Sequence, residues 1–178
     1  MNNIKDMNKI LSNKYYLQAL EAYPYDLTEV LESLSYALSY EYDHAGAHCL
    51  LGRLNMEQLK QFEKAEYHFE QALISDTNYT TTYMYYSKLL ILLNEYEKAE
   101  KLIKHSYTIK GINLTAMQYQ EGLLYEYRKN LVAARKLMKL AYNNSCNEDE
   151  RNYIKKELER VKNKMSITKT KKSKKKPR

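Results

Sequence analysis

AGAHCLLGRLNMEQLKQFEKAEYHFEQALISDTN, residues 45–78, decides the fold. It reads as two helical stretches separated by a short polar turn. Leu51 and Gly52 lie in the first stretch. Ala65, Phe69 and Ala72 lie in the second, four and then three residues apart, which places them on one helical stripe. Small residues at Gly52, Ala65 and Ala72 let two helices approach closely, while Phe69 fills the space between them. The pattern recurs in both directions. Upstream, Val30, Leu34, Ala37 and Leu38 repeat Ala65, Phe69, Ala72 and Leu73 at an offset of 35. Downstream, Tyr83, Tyr86 and Leu90 line a first helix, Asn94 marks a turn, and Tyr96, Ala99, Ile103 and Ser106 fill a second; Ala65 to Ala99 is a step of 34. A fourth copy, residues 115–147, carries Gly122, Tyr125, Leu131, Ala134, Met138 and Ala141, with a step of 35 from Ala99 to Ala134. The second copy holds one extra residue around Leu59, and Gly111-Ile112-Asn113 holds the one added before the fourth. Gln118 and Glu121 fall where large apolar residues are expected.

The order Leu-Gly, then Ala-x3-Phe, then Ala-Leu, in phase four times over residues 11–147, resembles the tetratricopeptide repeat, a 34-residue helix-turn-helix unit. The resemblance implies an all-α, right-handed superhelical solenoid of about four such repeats with a C-terminal capping helix. It also implies that the first helix of each pair lines a concave groove, and that the chain is a non-enzymatic adaptor or scaffold binding a peptide or helix of another protein there. By register, the groove residues are Tyr15 and Ala19 in the first repeat, Cys49, Arg53 and Met56 in the second, Met84, Lys88 and Ile91 in the third, and Tyr119, Leu123 and Glu126 in the fourth. This mixture of apolar, aromatic and a few charged side chains suits an extended or helical peptide carrying one acidic residue opposite Arg53 or Lys88. The family's two-carboxylate clamp, which grips a chaperone's C-terminal EEVD with Lys and Asn, then Asn, then Lys and Arg, does not fit. One frame holds Tyr15, Ala19, Leu50, Thr81 and Tyr85 at those places; the next holds Cys49, Arg53, Tyr85, Ala116 and Gln120.

The ends follow the same logic. A first helix over residues 7–22 stops at Pro24, which cannot donate a helical hydrogen bond, and Asp26 with Glu29 three residues on is a capping arrangement for the next helix. After residue 147, Glu148-Asp149-Glu150 complements a helix N-terminus, and Tyr153, Ile154, Leu158 and Val161 give the helix to residue 165 one apolar side. A repeat array exposes an apolar end, so a terminal helix with a polar outer face is the expected cap. The expected domain is residues 1–165; residues 166–178, SITKTKKSKKKPR, lack the apolar content to fold and are expected to be disordered.

Of the net charge of +7, the last 13 residues supply six Lys, one Arg and no acid, leaving 22 basic and 22 acidic residues in the body. Lys169, Lys171, Lys172, Lys174, Lys175, Lys176 and Arg178 form the candidate polyanion-binding tail. With no aromatic residue after Tyr153, any nucleic-acid binding by it is expected to be weak, phosphate-led, sequence-blind and salt-sensitive. The longest apolar run, Leu89 through Leu93, is too short to span a bilayer, and the first 16 residues lack the apolar core of a secretory signal. Two cysteines, Cys49 and Cys146, do not make a disulfide framework, so a cytoplasmic protein is expected, or a nuclear one in a eukaryote.

Catalysis has no foothold: there is no phosphate-binding glycine loop, nucleophile elbow or HExxH. Glu63, Glu66 and Glu70 sit among Lys60 and Lys64 as on a solvated helix face. His44 and His48 share a helical i, i+4 spacing beside Cys49, but Cys49 points about 100° away on a helix. No metal and no cofactor is expected. The rivals to an adaptor are a secretion-type chaperone cradling an extended client and a nucleic-acid or ribosome-associated factor anchored by the basic tail.

Overall fold

Three non-glycine residues with positive φ punctuate the described chain: Lys60 (56°), Asn94 (63°) and Lys129 (62°). They recur at the steps of 34 and 35 already seen in the alanines, and each reverses the backbone between the two helices of a hairpin. The computed structural model describes residues 2–173, with side chains described for residues 3–167. The helices are α1 (Asn2–Ala22), α2 (Leu27–Tyr40), α3 (Ala45–Leu54), α4 (Phe62–Ser75), α5 (Thr80–Leu92), α6 (Tyr96–Ser106), α7 (Leu114–Tyr127), α8 (Leu131–Asn144) and α9 (Glu148–Ser173). The described residues hold no strand.

Side chains that satisfy the first free N–H groups start five of these helices. Asp26 accepts from the Glu29 N–H, His44 Nδ1 from Ala47, Asn113 from Ala116, Asn130 from Ala133 and Asn147 from Glu150. Such caps contribute about 1 kcal/mol each. Glu29 accepts from the Ser33 hydroxyl and the Asp26 N–H donates to the Ala22 carbonyl, so Asp26 supplies one half of the capping arrangement and Glu29 does not return the other.

The extra residue near Leu59 appears as a wide turn. Residues Asn55–Leu59 continue α3 as a π-turn, closed by the Lys60 N–H donating to the Asn55 carbonyl, five residues back. An insertion inside a helix is accommodated this way, and such bulges often accompany functional sites.

The chain divides into two units, Met1–Leu89 and Leu90–Arg178. In the first, Ala19, Val30, Leu34 and Ala37 of α1 and α2 pack with Ala47, Leu50 and Leu54 of α3. Gly52 lets α3 meet α4: a Cβ there would lie 2.6 Å from the Phe69 ring. Gly122 plays the same part in the second unit, where a Cβ would lie 2.9 Å from Met138 Cγ.

The core of the second unit joins Ala134 and Met138 of α8 to Leu158 and Val161 of α9, with Tyr119, Leu123 and Tyr125 of α7 against it. Side chains of α9 contact α7 at a spacing of 34: Tyr119 with Tyr153, and Glu126 with Arg160. The last helix therefore takes the place that the first helix of a fifth repeat would hold. Its Ile154, Leu158 and Val161 are buried, while Lys155, Lys156, Glu159 and Asn163 are exposed. Glu121 and Gln118, polar where apolar residues were expected, have partners: Tyr107 donates to Glu121 (2.8 Å) and Asn144 to Gln118 (2.9 Å).

Two boundaries differ from the sequence expectation. Helix α1 begins at Asn2, not residue 7, and α9 runs to Ser173, past the boundary placed at residue 165. Lysine is a good helix former, so the helix does not need an apolar face to continue. The tail residues Lys169, Lys171 and Lys172 have undescribed side chains, and Lys174, Lys175, Lys176 and Arg178 lie outside the described residues. No described helix is long and apolar enough to cross a membrane.

Candidate partner-binding surfaces

In the first unit, the π-turn places Glu57 at the centre of a charged and aromatic cluster. Its carboxylate accepts from Tyr23 Oη (2.9 Å), Arg53 Nε (2.9 Å) and Lys88 Nζ (2.7 Å). Burial pushes the Glu57 carboxyl up, but the donors Lys88, Arg53 and Tyr23 outweigh it and hold the group at about 2. The Arg53 guanidinium lies over two rings, 4.4 Å from the Tyr23 centroid and 4.8 Å from that of Tyr85. Stacking of this kind fixes the plane of an arginine and leaves its hydrogen-bonding edge directed. Only Nε of Arg53 has a described acceptor, and the side chain remains 32% exposed. The cluster thus presents a positioned guanidinium edge beside Lys88, with one internal carboxylate between the two cations.

In the second unit, Glu126 of α7 is buried and accepts from Arg160 and from Lys164 of α9 (2.5 Å to the latter). Burial raises the Glu126 carboxyl, yet these two cations bring it below the ordinary carboxylate range. Arg160 also reaches Glu157 (2.9 Å), and Tyr119 Oη pairs with Tyr153 Oη (3.1 Å). A recess of about 270 Å³ beside this network is lined by Leu123, Glu126, Tyr127, Glu157, Arg160 and Lys164.

The groove residues expected from register fall into two groups. Ala19 (0% exposed), Cys49 (3%), Met56 (3%), Ile91 (3%) and Glu126 (8%) are packed among their neighbours, which leaves little of them for a ligand to touch. Burial also pushes the Cys49 thiol up to about 11, so it is a packing group. Tyr15, Arg53, Met84, Tyr119 and Leu123 are half-buried and Lys88 is exposed. Tyr15 is engaged inside its own hairpin, stacked on Tyr36 (5.1 Å between centroids) and Tyr40 (5.9 Å) of α2. The structure brings Arg53 and Lys88 together through Glu57, and Tyr119 and Leu123 together with α9. Sequence reasoning missed Glu57, Tyr23, Arg160 and Lys164. The one available signal was the extra residue near Leu59, which gave the insertion but not the direction of the Glu57 side chain.

On the other side of the second repeat, four rings form a closed set. Tyr42 meets His48 edge-on (5.7 Å), His48 meets His68 (5.4 Å), His68 meets Tyr67 (5.2 Å), and the two tyrosine hydroxyls are 3.2 Å apart. His48 Nε2 lies 2.8 Å from the Tyr42 carbonyl, which can only accept, so that nitrogen carries the proton. His48 Nδ1 therefore accepts, and His68 Nδ1 donates to it across 3.1 Å. The centroid separation of 5.4 Å means that the two nitrogens meet head-on, the geometry of a hydrogen bond. A chelated ion needs both lone pairs to converge on a point off that line. His44 is committed as a cap and to Asn13, and no group of three His, Cys, Asp or Glu suited to a metal occurs among the described residues.

Helix hairpins repeating at 34–35 residues, with glycine and alanine at the close approaches and a terminal helix in the place of the next repeat, define the tetratricopeptide-repeat fold. Comparison with solved structures agrees. TTC0263, a thermophilic TPR protein of Thermus thermophilus, superposes with a TM-score of 0.61 at 16% identity, over 86% of this chain and 98% of that one. The MamA protein superposes with a TM-score of 0.57 at 14% identity, over 100% of this chain and 98% of its own. The sequence matches no protein-family model and no curated protein.

Proposed function

We propose that this protein is a non-enzymatic adaptor that binds an extended or helical segment of a partner protein along its first helices. Arg53 carries the proposal. A guanidinium stacked on two tyrosines, with Nε tied to Glu57 and its terminal nitrogens lacking a described acceptor, is set to receive a carboxylate from outside. Lys88 is less suited, because its ammonium already rests on Glu57. The partner's acidic residue therefore belongs opposite Arg53, while the half-buried Met84 of the same unit offers an adaptable apolar contact to the rest of the segment.

Selection of a random peptide library on the immobilised full chain, followed by calorimetry on the enriched peptides, tests this reading. The expected consensus has two or more apolar positions and one Asp or Glu. Arg53→Gln should weaken the acidic peptide about tenfold, a loss of one charge-assisted hydrogen bond, and should leave its Asp→Asn counterpart unchanged. Enriched peptides without an acid, or an Arg53→Gln variant that binds as the wild type does, would overturn it.

A further inference from the structure

We infer that the outward side of α9 between Asn152 and Ile167 is a nucleic-acid-binding face that takes the sugar–phosphate backbone of a duplex. The inference is independent of the peptide reading. Residues 155–178 contain 12 basic and two acidic side chains, whereas residues 1–154 contain 17 basic and 20 acidic ones. The charge asymmetry of the molecule thus begins at Lys155, inside the folded cap, well before the tail.

The outward side of α9 is a stripe four turns long. Asn152, Lys155, Lys156, Arg160, Asn163 and Lys164 are among the residues lining an open groove of about 880 Å³, with Glu159 as its one acid. Pairing sorts these cations. Arg160 and Lys164 serve Glu126, and Lys162 beside the stripe serves Glu159 (2.5 Å). Lys155 and Lys156 are exposed and have no ion pair among the described residues. They are the ammonium groups available to an external anion.

The composition of the surface selects the anion. A protein partner is held chiefly by buried apolar anchors, and this stripe offers only Ile167; no Val, Leu, Ile, Met or aromatic side chain follows it in the sequence. An anionic bilayer needs an apolar helix face to bury, but Ile154, Leu158 and Val161 are already buried in the fold. A phosphate backbone needs neither. It presents closely spaced charges, and lysine and asparagine side chains are among its usual partners.

The test is fluorescence anisotropy of the full chain with a short mixed-sequence DNA duplex over a salt series. Log affinity should fall linearly with log salt, and Lys155→Gln/Lys156→Gln should reduce that slope by about 2, one for each lost phosphate contact. The same loss should appear on a duplex of unrelated sequence, with the circular dichroism spectrum unchanged. An unaltered slope in the double variant would assign all binding to the tail and overturn the inference. Absence of duplex binding at low salt would also overturn it, as would poly-glutamate competing as well as the duplex per unit charge, or binding to phosphatidylserine vesicles alone.

Discussion

Ala65 and Ala134 show how much a single small residue decides. Each is fully buried where two helices of a hairpin come closest, the neighbouring glycines having no room for a methyl group. Ala65→Leu and Ala134→Leu should each destabilise the fold by about 1–3 kcal/mol, the usual cost of overpacking a close interface. Thermal melts followed by circular dichroism check this, and unchanged midpoints in both variants would contradict the repeat phase. These alanines were legible in the sequence because helix packing repeats their spacing. His68 was not, because its importance depends on a ring from another helix. Burial, then His48 and Lys64, hold its imidazole down at about 4, below the ordinary 6.5. Between those values the unfolded chain binds a proton that the folded chain refuses, so stability falls as pH drops from about 6.5 toward about 4. Urea unfolding at a series of pH values should show that decline, and His68→Gln should flatten it. Glu57 adds a separate acid limb: its contribution is complete above the ordinary carboxyl range and is lost as pH falls through about 2.

At the scale of elements, what repeats was readable and what interrupts the repeat was only half readable. Counting residues located the insertion near Leu59, and the backbone absorbs it as the π-turn at Asn55–Leu59. Counting does not say that the wide turn swings Glu57 between Arg53 and Lys88, since that depends on α5 and on Tyr23 at the end of α1. Glu57→Leu should therefore leave two cations without their acceptor and lower stability by about 1–2 kcal/mol, toward the low end of what charged hydrogen bonds contribute because the group is partly exposed. Chemical denaturation measures it. The capping helix was legible from its apolar side, but its end was not: helicity continues to Ser173 after that side stops. Because α9 covers the end of the second unit with Ile154, Leu158 and Val161, Leu158→Ala should cost roughly 2–5 kcal/mol. The same denaturation series would show no loss if α9 were merely appended to the fold.

For the whole molecule, the sequence supported a repeat architecture more firmly than a binding face. A repeat fold is specified by small and apolar residues at fixed spacing. A binding face is what remains after those residues and their neighbours have paired, and pairing is long-range. Among the candidate groove residues, Cys49 and Glu126 illustrate this: register alone points them toward a ligand, while burial and ion pairing commit them to the fold. Arg53, Met84 and Tyr119 keep accessible surface. The most direct test of a binding function on the first helices is the Kd of the best library-selected peptide for Arg53→Gln and Met84→Ala, against His68→Ala and Glu63→Ala on the second helix α4 of the same unit. The expected result is a loss above about 1 kcal/mol, fivefold or more in Kd, for each of the first pair and wild-type affinity for the second. Loss of affinity in His68→Ala or Glu63→Ala, with Arg53→Gln and Met84→Ala binding normally, would place the ligand on the opposite face of that unit and contradict it.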